Sequence, residues 1–366
     1  MNRFGIGKIL LIAAFFAAQS TVQTPDAFAW ELVEGSKAPI SRGELIKAVK
    51  KGKPVIARII QGDDIIELIK DTDYDIKISD SVIEGGLDFR KLPKVALKEE
   101  SLPDGWSDED KAAFVTAKGP YIKKVRIVTN AITINSSEIK SVEGVGSIRA
   151  KKTFFNKKII FKKVVLDGKA SFSDALFDDK VRFMSVDFNG GGVFTGALFK
   201  KETYFRVAVF GAESYFSGAE FKEKVVFNAI FKERAGFSGA TFYGRAAFSD
   251  TGFQNDVRFS GVVFKGMALF DEAIFGERAY FAGVEFMGHT DFSDAVFTGV
   301  VYFSGTVFKE ETHFMRAAFK GFSFFPGARF LDKLSFEKAR FSKDPIFSGA
   351  VFIGDPPPVL PPSLVR

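Results

Sequence analysis

The chain has 366 residues, no Cys, two His and a formal net charge of +6. Without Cys it carries neither a disulfide frame nor a thiolate metal site, and two His (His289 and His313) are too few for a His-rich centre, so both read as solvated strand-surface residues. The charge argues against a nucleic-acid stripe: residues 1–29 carry +1, residues 30–130 balance at 18 against 18, and the remaining +5 is spread over residues 131–366.

Residues 1–29 have the layout of a secretory signal. Arg3 and Lys8 supply the positive start, Ile9 to Ala18 the apolar stretch, and Ala27-Phe28-Ala29 a small-x-small cleavage site. About ten apolar residues are too few to span a bilayer. The alternative for this stretch is an uncleaved anchor or a buried helix. The mature chain is expected to start near Trp30 and to be exported, periplasmic or secreted, with membrane contact at most peripheral. Residues 30–71 read as a cap of helical and strand elements. Ser41-Arg42-Gly43-Glu44 followed by Leu45, Ile46 and Val49 predicts a capping box and a short amphipathic helix that ends at Gly52. Asp71-Thr72-Asp73-Tyr74-Asp75 has the carboxylate spacing that opens a calcium loop. Ile76 and Val82 stand where such a loop needs its Gly and closing Glu, so a solvated turn is expected.

Residues 72–154 read as irregular first coils of a repeat. Ile76-Lys77-Ile78 and Val82 to Phe89 alternate like strands and turn on Gly85-Gly86. An insertion at about 90–122, with Pro93, Pro103 and Pro120, interrupts them and predicts one helix from Ser107 to about Lys118, its start rich in Asp108, Glu109 and Asp110. Strand character resumes at Val125-Arg126-Ile127 and Ile132-Thr133-Ile134. It passes through Phe155, Phe161 and Leu166 into a regular array over 155–352, and residues 353–366 form a Pro-rich tail.

In the array Phe recurs at alternating steps of five and six: Phe172, Phe177, Phe183, Phe188, Phe194, Phe199, Phe205, Phe210, Phe216, Phe221, Phe227, Phe231, Phe237, Phe242, Phe248, Phe253, and onward to Phe341, Phe347 and Phe352. The ladder holds 34 of the 45 Phe, and only Phe227 to Phe231, at four residues, breaks step. An eleven-residue double step also fits three helical turns, but steps of five and six rotate a helical side chain by about 140° and 240° and scatter the rings. A small residue two before each five-step Phe (Ala175, Ala197, Ala219, Ala240, Ala273) puts small and large side chains on one side of a strand. Four sides of five, six, five and six residues give a 22-residue coil in which long sides stack on long sides. Three sides would mismatch, and a flattened two-sided coil of eleven leaves too thin an interior. The reading is an all-β solenoid, a quadrilateral β-helix of about eight coils between 172 and 352, roughly 40 Å long at ~4.8 Å per strand.

Phe216-Ser217-Gly218-Ala219-Glu220-Phe221 and Phe347-Ser348-Gly349-Ala350-Val351-Phe352 resemble the repeat of the pentapeptide-repeat family in its Phe-centred form. The resemblance covers 155–352 closely and 72–154 loosely, and it implies a right-handed four-sided β-helix. The sixth residue in every second unit departs from the family's constant five. Some members of that family resemble duplex DNA and shield a topoisomerase, a role that implies an acidic surface and a cytoplasmic address. The +5 array behind an export signal does not suit it.

No catalytic set is legible: phosphate loops, a nucleophile elbow and a metal-ligand helix are all missing from the sequence. The protein is expected to be non-enzymatic, with no cofactor and no nucleic-acid partner. The outward positions carry more. Arg258, Tyr280, Tyr302, Phe324 and Ile346 fall 22 apart on one face, and Val209, Ile230, Ile274, Val296 and Ala318 form a second row broken by Gly252. Such rows serve as ordinary strand surface or as a stripe for dimerisation or partner docking. The expected function is an exported scaffold for an unknown protein partner or for a second copy. The alternative is a binder of anionic lipid or polymer at the envelope surface through Lys151-Lys152, Lys157-Lys158 and Lys162-Lys163, which a solvated charged face explains equally well.

Overall fold

The computed structural model describes residues 37–96, 124–141 and 146–353. The signal reading of 1–29, the helix expected from Ser107 to Lys118 and the Pro-rich run from Pro356 lie outside those residues. Within them the chain winds as a parallel β-solenoid of about 13 coils with a 22-residue repeat, the expected fold class.

Each coil has four faces, and the strand registers show how they arise. Face I is a ten-stranded parallel sheet from Leu87–Asp88 to Ser323–Phe324, and face II a twelve-stranded sheet ending at Val351–Phe352. Faces III and IV share one 22-stranded sheet, because in the early coils a single strand such as Val181–Phe188 runs through both. Corresponding residues pair coil to coil: Phe177 with Phe199, and Phe199 with Phe221. At each face the ladder Phe and the residue two before it point inward while the residue between them points out, the period-two rule of a strand. Ala175, Ala197, Ala219 and Ala240 are accordingly buried beside the rings.

The rings form four continuous columns. Within a column they stack nearly flat, as with Phe216 and Phe237 at 4.9 Å and 5°, or Phe248 and Phe270 at 4.9 Å and 4°. Between columns they meet edge to face, as with Phe216 and Phe227 at 5.1 Å and 87°. Both geometries suit the aromatic quadrupole and add about 0.5–1.5 kcal/mol per pair beyond burial. On faces IV and II, Thr251 and Thr306 take the place of the small inner residue. Their buried hydroxyls donate to carbonyls of the preceding coil: Thr306 to Phe281 at 2.7 Å, and Thr251 to Phe227.

At the five-step corners between faces I and II, and from Phe248 onward between faces III and IV, the N–H three residues on donates to the ladder Phe carbonyl in a tight turn, as from Ala219 to Phe216 at 3.0 Å. The third turn residue has positive φ and the second does not, the pattern of a type II turn. Between faces I and II that residue is a column of Gly: Gly218, Gly239, Gly261, Gly283, Gly305, Gly327 and Gly349, at φ of 63° to 67°. Between faces III and IV the same conformation falls on Asp250, Glu272, Asp294, Arg316 and Lys338. The four-residue step from Phe227 to Phe231 is absorbed here. Ala208 pairs with Ala229, and Phe210 stacks on Phe231 at 4.6 Å and 1°, so the core shows no break. What is lost is the corner residue, and the Asn228 side chain bonds Ser249 O and Asp250 Oδ2 instead.

The earliest coils use the same register with an aliphatic interior of Ile76, Ile78, Ile83, Ile132, Ile134 and Ile139. Their sheet reaches back into the segment read as a cap, for Val55–Ile56 and Arg58–Gln61 pair with Ile76–Ser79 and Val82–Glu84. The first helix, Arg42–Lys50, has the expected capping box between Ser41 and Glu44, and Gly52 follows it at φ 65°. The second helix, Gly62–Asp71, was not legible in the sequence. It buries Ile65, Ile66, Leu68 and Ile69 and packs against Leu87–Asp88 of the first coil. Gly62 is required at its start, since a Cβ there would lie 1.7 Å from Gly86 O. The helix thereby covers part of the open end of the core, an arrangement solenoids need at their termini.

A second apolar cluster lies outside the coil. Phe154, Leu176 and Leu198 occupy the outward row of face II yet are buried, together with Val125 and with Ile127 packed beside them. Val95–Ala96 pairs antiparallel with Lys124–Val128 next to this row.

Candidate functional site

On face I the strand register brings the predicted stripe together. Arg258 pairs with Tyr280, Tyr280 with Tyr302, Tyr302 with Phe324, and Phe324 bridges to Ile346. The parallel ladder holds equivalent side chains about one strand spacing apart, so the outward rings are forced into contact. Tyr280 and Tyr302 stack at 5.1 Å and 7°, Tyr302 and Phe324 at 5.3 Å and 9°, and the Arg258 guanidinium caps the stack 5.2 Å above the Tyr280 ring.

Two aromatic residues belong to this surface that the 22-residue spacing did not reveal. Phe322 is two residues before Phe324, on the same side of the strand; it is 44% exposed and lies 6.0 Å from the Phe324 ring. The Lys343 ammonium sits 4.7 Å over it. Tyr215 is the outward residue two coils before Arg258, reached through Gly236. The short step at Phe227 puts Tyr215 out of strict 22-residue phase, and counting coils instead of residues would have found it. Its hydroxyl donates to the Glu213 carboxylate, and that bond raises the phenol above its ordinary pKa.

The flank of the stripe is rigid. Asp256 is nearly buried and accepts from the Arg278 backbone N–H at 3.2 Å and from its Nε at 3.1 Å, while Nη2 of Arg278 lies 3.0 Å from the other oxygen. That hydrogen-bonded partner holds the Arg278 guanidinium above its usual pKa. The opposite end is apolar and open, with Ile346 40% exposed.

The second predicted row is in register on face IV: Val209, Ile230, Gly252, Ile274, Val296 and Ala318. Its side chains are half-buried, apart from the buried Gly252, and none is aromatic. The lysine pairs are largely exposed, but Lys157 is engaged by Asp75 at 3.2 Å. The acidic run before them is also committed. Asp71 pairs with Arg42 at 3.1 Å, and Asp75 accepts the Ala131 N–H at 3.2 Å. Desolvation pushes the Asp75 carboxyl up, but that N–H and Lys157 outweigh it and leave its pKa lowered.

The two His, separate in the sequence reading, are neighbours in the structure. Asp291 pairs with His313 on face III, and the two imidazoles lie 5.0 Å apart. Their spacing of 24 residues is one coil plus two, which places them diagonally on one outward row.

The parallel solenoid with this 22-residue coil defines the class of the molecule. A family model described as pentapeptide repeats (9 copies) matches residues 161–209 and 248–296. The matched segments are pentapeptide repeats, and the fold is that of a repeat scaffold. No curated protein and no solved structure matches it significantly. Among the described residues no helix is long and apolar enough to cross a membrane.

Proposed function

We propose that this protein is an exported, non-enzymatic scaffold whose aromatic stripe on face I docks a protein partner or a second copy of the chain. The observation that carries the reading is the continuous stack from Arg258 through Tyr280, Tyr302 and Phe324, extended by the exposed Phe322 and Ile346. Aromatic and Arg side chains on a rigid backbone lose little conformational entropy on binding and are over-represented among the residues that dominate interfaces. The signal-like layout of residues 1–29 supports export, and recovery of the mature protein from the cytoplasm would defeat that part of the reading.

The double substitution Tyr302→Lys/Phe324→Lys tests the docking role. Both side chains are outward and half-buried, so the coil should keep its circular dichroism spectrum while native associations are lost in co-purification from the envelope. Unchanged associations would remove the stripe from function. An envelope-surface role is favoured instead by the exposed Lys151, Lys152, Lys158 and Lys162. It predicts binding to anionic vesicles that 0.2 M salt abolishes, since at that ionic strength attraction between exposed charges is screened beyond roughly 7 Å.

A further inference from the structure

From the arrangement on face III we infer a divalent transition-metal site, of the kind that takes Zn(II), formed by His289, Asp291 and His313 across two successive coils. One ligand atom from each residue lies within 4.8 Å of the other two. The imidazole planes are nearly perpendicular, at 83°, so the rings approach from different directions, as two ligands of one ion must. Glu311 completes a two-by-two block. Its carboxylate is 3.2 Å from His313 Nε2, where it joins the ion as a fourth ligand or fixes the orientation of the ring.

Several features favour a metal over a plain hydrogen-bonded cluster. The chain contains only two His, and register places both beside a carboxylate. Imidazole with carboxylate is a donor set for Zn(II), Ni(II) or Cu(II), and two His with one acid leave a position open for water. All three residues are half-buried outward side chains on a rigid ladder. Donors around a tetrahedral ion with bonds of about 2.0–2.1 Å stand roughly 3.4 Å apart. Closure from the observed separation of at most 4.8 Å therefore needs at most about 1.4 Å, a movement within the reach of χ rotation of these side chains. The ion would join the coil carrying His289 and Asp291 to the coil carrying Glu311 and His313. The flanking coils present Leu269 beside Asp291 and Ser335 beside His313.

The experiment is titration of the tag-free full chain with Zn(II) alone, followed by calorimetry and by the two imidazole NMR signals. The expected result is one Zn(II) per chain, movement of both imidazole signals together and a rise in the melting temperature, since an ion bound only by the folded state stabilises it. His289→Gln/His313→Gln should abolish binding. Asp291→Asn, whose oxygen can still accept the Ser293 N–H that Asp291 now binds at 2.8 Å, should weaken it by about tenfold or more. Absence of saturable one-to-one binding overturns the assignment. So does Zn(II) binding that leaves the imidazole signals in place, or that survives in the double variant.

Discussion

The early coils and the Phe array share one backbone register but are filled differently. Up to Leu166 the interior is mainly Ile, Val and Leu, and strands of eight residues such as Ile132–Ile139 and Ile159–Leu166 run through the corner between faces III and IV. There the corner is a single bend with positive φ, at Ser136 and Lys163. From Phe248 onward the same corner is a closed turn, with Thr251 N donating to Phe248 O at 3.1 Å, and the strands shrink to two residues. The coil is therefore set by the backbone ladder and by one left-handed residue at each five-step corner. Phe decides how rigidly the interior is filled, not whether the chain winds.

The two regions should differ most in the cost of emptying the core. Phe270→Ala should lower the local opening free energy of its coil by about 3–5 kcal/mol, because a fully buried ring stacked on Phe248 at 4.9 Å and Phe292 at 4.8 Å is lost. Ile134→Ala in the aliphatic coils should cost less, nearer the lower end of the ~2–5 kcal/mol range, since its neighbours can close in. Native-state hydrogen exchange reads both locally, as a solenoid opens by segments. Equal losses would mean that the stacking adds nothing.

The corners give a smaller effect that differs between the two columns. Gly283 has φ 64° and open space around a built Cβ, so Gly283→Ala introduces backbone strain alone, about 1 kcal/mol. Glu272→Ala at the other corner should cost little, because a residue with a Cβ already holds φ 58° there. Thermal denaturation of the two variants checks this, and equal costs would show that the corners are equivalent.

The smallest effect is electrostatic. Burial first, then repulsion from Asp250, Asp271 and Asp294, raises the Glu272 carboxyl above its ordinary pKa. A raised folded-state pKa means that this group's stabilising contribution is complete below the unfolded glutamate value of about 4.3 and is lost as pH rises through the folded value. Glu272→Gln should therefore be slightly more stable than the parent at pH 7, with the advantage gone at pH 3 to 4. An advantage confined to acid would reverse the assignment.

Much of this was legible in the sequence for a physical reason: a core residue that must repeat every coil writes its period into the chain. The ladder, the small inner residues, the four sides and the Ser41–Glu44 capping box were all readable. Features set by a single residue or by a contact between coils were not. The N-cap of the second helix is Gln61, which makes no side-chain cap bond, so no start signal marked it. The burial of Phe154, Leu176 and Leu198 on an outward row defies the alternation rule. The His289–His313 pair becomes visible only when the chain is laid out in two dimensions, and Tyr215 only when the skip at Phe227 is counted as well.

The account turns on whether face I is a docking surface. The direct test places a photo-crosslinking side chain at Tyr302, and as a control at Val263 on the outward row of face II, in cells with an intact envelope. The expected result is a discrete adduct at Tyr302, with a partner or a second copy, and none at Val263. No adduct at Tyr302, or the same adducts at both positions, would contradict the account and leave the stripe as ordinary strand surface.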